Sequence, residues 1–193
     1  MPMTLDEALP IVATQRGDRI VITTMSSAGV WPKLSDAPLD FTYIPSSMGQ
    51  GPSLGLGLAT AQPERGVIVL CGDGSLLMNL GCLVTISQHP ANLWLLLIDN
   101  GLYEVTGGQP VAGARRTDYA ALARAAGISR VYTVSEKADL EKAATEIFAG
   151  AGPVFVWLRV EGRLGQKTPA APRPMAEQIR RLREAINGVK SEW

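Results

Sequence analysis

The chain has 193 residues, which suits one domain with a buried core or one domain with a tail. Apolar residues make up 46% and charged residues 19%, which excludes an intrinsically disordered chain. Eighteen Lys and Arg balance eighteen Asp and Glu, so nothing in the charge points to nucleic acid, and no secretory pattern or apolar run long enough to span a membrane is present.

In chain order, Met3–Arg16 reads as a helix, with Thr4 as N-cap and Asp6 and Glu7 in its first turn. Ile20–Thr24 is short and β-branched, hence a strand, and it ends in the small polar stretch Met25–Gly29 at another C-terminal sheet edge, where Ser26 and Ser27 read equally as facing a ligand or as a plain turn. Trp31–Phe41 carries two prolines and no clear period and reads as a loop, followed by a short strand at Tyr43–Ile44. Pro52–Ala61 is a helix in which Gly51, Gly55 and Gly57 offer a bare face. Each helical glycine costs about 1 kcal/mol against alanine, so something must pack very close.

Gly66–Gly72 is an apolar strand, Ser75–His89 a helix, and Leu93–Asp99 a second apolar strand. Gly101–Arg116 is a glycine-rich loop too long for a mere connector. Asp118–Ala126 is a helix, Val131–Val134 a strand, Glu136–Ala149 an amphipathic helix and Pro153–Val160 the last strand. Gly162–Pro174 is expected on the surface, before a final helix at Met175–Ile186. The alternation predicts an α/β fold: a doubly wound, mainly parallel sheet with helices on both faces. Residues 1–161 would form the domain, with 162–193 an extended segment and helix packed on it. Cys71 and Cys82 lie in apolar surroundings and read as buried free thiols of a reducing, cytoplasmic compartment.

The chemistry concentrates in Gly66–Gln109. A strand–helix–strand crossover of this length makes its two strands parallel, so Asp73 and Asn100 emerge at one sheet edge, where ligands of open α/β folds bind. Mg²⁺ takes oxygen ligands in near-octahedral order, commonly one or two protein groups plus phosphate oxygens and water. Asp73 offers a carboxylate and Asn100 an amide oxygen without a second charge. Gly72 and Gly74 let the backbone approach an anion, and the N–H groups of Gly74 and Ser75 open a helix. The plain alternative is that Asp73 only caps that helix.

Gly72-Asp73-Gly74-Ser75, with Asn100 following 27 positions after the aspartate, resembles the thiamine diphosphate motif. Ser46-Ser47-Met48-Gly49, the glycine-spaced helix, Asp99-Asn100-Gly101 and Thr106-Gly107-Gly108-Gln109 stand in register with it. The chain as a whole resembles the pyrophosphate-binding (PP) domain of thiamine diphosphate-dependent decarboxylases, above all sulfopyruvate decarboxylase β subunits and phosphonopyruvate decarboxylases. This resemblance implies thiamine diphosphate and Mg²⁺ as cofactors, with Asp73, Asn100 and the Leu102 carbonyl on the metal. It implies Gly72, Gly74 and Ser75 at the diphosphate, Met48 wedged between the two cofactor rings, and Tyr103 beside the cofactor.

The implied reaction is non-oxidative decarboxylation of a small anionic 2-oxo acid. Carboligation, as in acetolactate synthases, or a non-catalytic cofactor-binding subunit are the alternatives. The family also needs a pyrimidine-binding (PYR) domain with an activating glutamate. No glutamate here, Glu104 in the loop included, sits in a matching context, and no catalytic residue is assigned to this chain. The resemblance therefore implies a hetero-oligomer whose partner subunit carries that glutamate. The single histidine, His89, has no flanking triad or zinc partners and reads as a helix end. Arg115, Arg116 and Lys33 read as loop charges near the mouth of the site, open to an anionic substrate tail.

Overall fold

The computed structural model describes residues 3–45, 47–89 and 91–188. Ser46, Pro90 and 189–193, which figure in the reading above, lie outside them. The chain opens with helix α1 (Leu5–Gln15), strand β1 (Ile20–Thr23) and the short helix α2 (Ser27–Val30), followed by β2 (Asp40–Thr42), α3 (Gly51–Ala61) and β3 (Val67–Gly72). Two short helices, α4 (Asp73–Leu77) and α5 (Gly81–Ser87), lead into β4 (Leu93–Asp99) and the small strands β5 (Leu102–Tyr103) and β6 (Gln109–Pro110). Helix α6 (Tyr119–Ala125), β7 (Arg130–Val134), α7 (Lys137–Phe148), β8 (Val154–Arg159) and α8 (Met175–Asn187) complete it.

Six strands form one sheet in the order β2-β1-β3-β4-β8-β7, and every pairing in it is parallel. The apolar runs of β3 and β4 conceal a period of two, because helices cover both faces. Val67, Val69, Leu93, Leu95 and Leu97 meet α3, α5 and α6 on one face. Ile68, Leu70, Trp94, Leu96 and Ile98 meet α1 and α7 on the other. The chain leaves β1 toward one sheet edge and β3 toward the other, so the two strands flank a topological switch point, where a crevice opens at the C-terminal ends.

The start of the chain follows its sequence closely. Thr4 and Glu7 form a reciprocal capping box on α1, the Thr4 hydroxyl accepting from Glu7 N at 3.3 Å and Glu7 Oε2 accepting from Thr4 N at 2.9 Å. At the far end, Thr42 N donates to Gln178 Oε1 at 2.9 Å, joining α8 to β2 across 136 positions.

Five elements depart from the sequence expectation, the first being Met25–Gly29, which runs into the short helix Ser27–Val30. The short strand is Asp40–Thr42, earlier than Tyr43–Ile44, because Pro45 has no N–H to continue the ladder and Asp40 is anchored by Arg16 at 3.1 Å. The supposed loop Trp31–Phe41 begins with a 3-10 turn at Trp31–Lys33, and Trp31 is fully buried in the core. Helix Ser75–His89 is broken at Met78–Leu80. Asn79 there turns its side chain to the Gly49 carbonyl, donating at 3.0 Å, and the chain tightens through Met78 N to Ser75 O and Asn79 N to Leu76 O. The loop Gly101–Arg116 holds the antiparallel β5–β6 pair.

The glycines of α3 are not equivalent. A Cβ on Gly55 would run into Val69 Cγ2, so this glycine sets how close the helix lies to the sheet, whereas a Cβ on Gly57 would meet nothing. Gly55→Ala is expected to destabilise the chain by about 1–3 kcal/mol through overpacking. Gly57→Ala is expected to be neutral or to stabilise by up to about 1 kcal/mol, because it restricts the unfolded chain and adds helix propensity. Urea unfolding of the two variants side by side checks this, and equal effects would contradict it.

Candidate functional site

Three segments converge at the switch point: Met25–Ser27 after β1, Gly72–Ser75 after β3, and Asn100–Thr106 after β4, with Met48 closing a fourth side. They enclose only ≈ 30 Å³, far below the ~300–1,000 Å³ typical of a ligand pocket. On its own this space is too small for a cofactor-sized ligand.

The parallel register of β3 and β4 places Gly72 opposite Ile98, so Asp73 and Asp99 follow side by side and Asn100 comes one residue later. Asp73 does not cap its helix. Gly72 holds the N-cap position in extended conformation, and Asp73 is the first helical residue. Its Oδ2 accepts from Gly101 N at 3.1 Å, tying the β4 loop to the β3 end. Asp73 is 2% exposed, and burial, then the Asp99 carboxylate, push its carboxyl up to about 7. Asp99 itself is held from the far side, its Oδ2 accepting from Trp157 Nε1 at 2.8 Å.

Asn100 Oδ1 accepts from Leu102 N at 2.9 Å, which shapes the turn and leaves the second lone pair of that oxygen for another partner. Ser75 Oγ accepts from Gly49 N at 2.9 Å and thereby orders the backbone beside Met48. The Tyr103 ring lies so close over Gly74 that a Cβ there would run into its Cε1 edge, so only glycine fits. The first N–H groups of α4 have no acceptor within the helix, but α4 is barely more than one turn and brings little dipole.

Every residue singled out in the sequence for metal or cofactor contact, Met48, Gly72, Asp73, Gly74, Ser75, Asn100, Leu102 and Tyr103, lines this one cleft. Arg115, Arg116 and Lys33 do not. Arg115 faces a separate groove with Arg159 on the other side of Asn100. The sequence reading left Ser26 open between facing the cofactor and a plain turn, and took Glu104 as a loop residue without a role. Both line the cleft, and Glu104 is 4% exposed. Cys71 and Cys82 are free and buried, and burial pushes the Cys71 thiol up to about 12, so it is inert. His89 is exposed and lies outside the cleft.

The donor set fits a hard divalent cation. Asp73 offers a carboxyl group, the Asn100 amide oxygen stands beside it, and no lysine or arginine lines the cleft among the described residues, whereas the adjacent Asp99 lines the groove of Arg115 and Arg159. A cation here would offset the burial and the Asp99 carboxylate that together raise the Asp73 carboxyl.

Comparison with known proteins identifies the family of the chain. Residues 30–158 match the family model described as thiamine pyrophosphate enzyme, C-terminal TPP binding domain. Sulfopyruvate decarboxylase subunit beta of Methanothermobacter thermautotrophicus is 43% identical over 160 residues, covering 82% of this chain and 82% of its own length. Phosphonopyruvate decarboxylase of Streptomyces viridochromogenes is 38% identical over 146 residues, covering 75% of this chain but only 36% of that protein. The structure of a thiamine diphosphate-dependent 4-hydroxybenzoylformate decarboxylase from Rhodococcus jostii superposes with a TM-score of 0.70 at 21% identity, over 84% of this chain and 33% of that one, a likeness of fold.

The raised Asp73 carboxyl sets a pH dependence. Between pH ~4 and ~7 the folded chain holds a proton that the unfolded chain has released, so this group's contribution to stability is lost as pH rises through about 7. Mg²⁺ takes only the ionised form. The rise in thermal midpoint on adding millimolar Mg²⁺ is therefore expected to be larger at pH 8 than at pH 5.5, and to vanish in Asp73→Asn. A pH-independent rise would contradict it.

Proposed function

The chain belongs to the thiamine pyrophosphate enzyme family, in its C-terminal TPP binding domain, and on that premise we propose that it is the cofactor-binding subunit of a two-chain 2-oxo acid decarboxylase. In this reading residues 1–161 form the cofactor-binding domain and 162–193 an extension packed on it. Asp73, Asn100 and the Leu102 carbonyl hold Mg²⁺. Gly72, Gly74 and Ser75 border the diphosphate, while Met48 and Tyr103 flank the organic part of the cofactor. The observation that carries the reading is the delivery of Asp73 and Asn100 to one cleft by adjacent parallel strands.

Bound there, thiamine diphosphate supplies the electron sink that lets a 2-oxo acid lose carbon dioxide. The chain's own residues bind and orient. Asp73 would hold the metal as its carboxylate, its proton released to solvent, Gly74 admits the Tyr103 ring, and Met48 fills space where a flexible thioether suits a wedge. A buried carboxylate and a diphosphate in one cleft would need a cation between them.

The activating glutamate is assigned to a PYR-domain partner in a hetero-oligomer. The cleft on its own is too small for the cofactor, both oxygens of its one glutamate already accept hydrogen bonds from this chain, and the relative matched over 82% of its own length is named a β subunit. A substrate with a sulfonate or phosphonate end is favoured by the names of the relatives. Since no cation of this chain lines the cleft among the described residues, the anionic end would be met by the partner.

Co-expression with the polypeptide encoded beside it, followed by a screen of 2-oxo acids for carbon dioxide release, tests the reading. The pair is expected to act on sulfopyruvate or phosphonopyruvate and the chain alone on neither. Robust turnover by the chain alone would show the two-chain reading to be wrong. In the pair, Asp73→Ala is expected to weaken thiamine diphosphate binding by about 100-fold or more, since loss of mere outer-shell partners costs 10–100-fold. Met48→Gly is expected to lower kcat far more than cofactor affinity, and a normal rate would remove its role.

A further inference from the structure

Among the described residues, Glu104 is the one buried carboxyl group of the cleft that the proposed function leaves unused. It sits in the 3-10 turn Glu104–Thr106, directly after Leu102 and Tyr103, and is 4% exposed. Among the described residues no cationic side chain pairs with it. A carboxylate taken out of water without a countercharge is strongly unfavourable unless its oxygens are met by good donors. Here each oxygen has one. Oε2 accepts from Ser26 Oγ at 2.5 Å, and Oε1 accepts from Arg163 N at 2.6 Å.

These two donors come from far apart in the chain. Ser26 lies 78 positions away at the end of β1, and Arg163 lies 59 positions away in the segment after β8. That segment is mostly exposed and has no secondary structure, so it needs pinning. It starts where a Cβ on Gly162 would meet Asn100 O at 2.9 Å and Leu102 Cδ1 at 2.7 Å. Arg163 also reaches Asp6 at 2.7 Å, and the Thr168 hydroxyl donates to Val105 O at 3.0 Å. The segment thus straps over the loop bearing Asn100, Leu102 and Tyr103, and Glu104 is where strap, loop and the β1 turn are joined.

We propose that Glu104 is a positioning residue for the cofactor: its carboxylate clamps the β1 turn and the strap onto the Asn100–Thr106 loop, and so fixes the Leu102 carbonyl and the Tyr103 ring in the cleft. The side chain must accept at both of its ends, because both neighbours donate to it. A glutamine keeps both contacts only with its oxygen toward Arg163 N and its NH₂ toward Ser26, whose hydroxyl must then turn to accept. With glutamate in place, the Ser26 proton is committed, and toward the cleft that hydroxyl offers only lone pairs.

The test compares wild type, Glu104→Ala, Glu104→Gln and Ser26→Ala. Hydrogen exchange is followed on the 193-residue chain, and the affinity for thiamine diphosphate with Mg²⁺ is measured on the chain assembled with its partner. Glu104→Ala is expected to speed exchange in 101–108 and 162–168 together by about tenfold or more, with α7 unchanged, and to weaken cofactor binding about tenfold. Glu104→Gln is expected to recover most of both effects. Ser26→Ala, which removes one bond and leaves the carboxylate its other donor, is expected to loosen the 101–108 loop more than the strap. Unchanged exchange in both segments of Glu104→Ala, or unchanged affinity where the wild type binds, would overturn the clamp. If Glu104→Ala does not fold, Ser26→Ala decides, and unaltered exchange in its 101–108 loop overturns the clamp. Only the affinity arm rests on the functional reading. A wild-type complex that binds no thiamine diphosphate defeats that reading, while the exchange arm still judges the clamp.

Discussion

Two carboxyl groups, Asp73 and Asp99, stand side by side at the ends of adjacent parallel strands, and the site is arranged around their repulsion. Burial and proximity drive Asp73 toward its protonated form. The surrounding contacts preserve this crowding: Trp157 fixes Asp99, and Gly101 N fixes Asp73. In a cleft that no basic side chain lines among the described residues, the Asp73 carboxyl and the Asn100 amide oxygen form a donor set that fits a divalent cation, with only one added charge.

Close backbone approach is the second device. Gly55 lets α3 lie against β3, which carries the chain from Met48 past the cleft. Gly74 lets the Tyr103 ring lie on the first turn of α4. Ser75 and Asn79 then hold the Gly49 backbone from below through one accepted and one donated bond. The helix break at Met78–Leu80 follows from this use of Asn79: a continuous helix would give up the contact that seats the Met48 segment. Packing, charge and loop geometry therefore serve one narrow region at the switch point of the sheet.

The sequence disclosed the layered α/β fold because buried parallel strands read as apolar runs and the intervening helices carry stripes of matching period. It disclosed the Asp73 and Asn100 pair because both follow directly on strand ends, at positions fixed by covalent order. It did not disclose what depends on distant contacts. Trp31 stands among prolines with no period, and its burial comes from the packing of α1 and the sheet. Glu104 looks like a solvated loop charge, and its place in the cleft depends on donors 78 and 59 positions away. The short β5–β6 pair arises inside a glycine-rich loop with too few residues to show alternation.

The central claim is that this chain supplies one wall of a metal and diphosphate site and that another polypeptide supplies the rest. A crystal structure of the assembled complex grown with Mn²⁺ and thiamine diphosphate tests it most directly, because the anomalous signal of manganese locates the metal without reference to the protein. The account predicts a manganese peak bound by Asp73, Asn100 and the Leu102 carbonyl, with the cofactor lying between Met48, Tyr103 and the surface of the second chain. A manganese peak elsewhere, or a cofactor wholly enclosed by this chain, would contradict it.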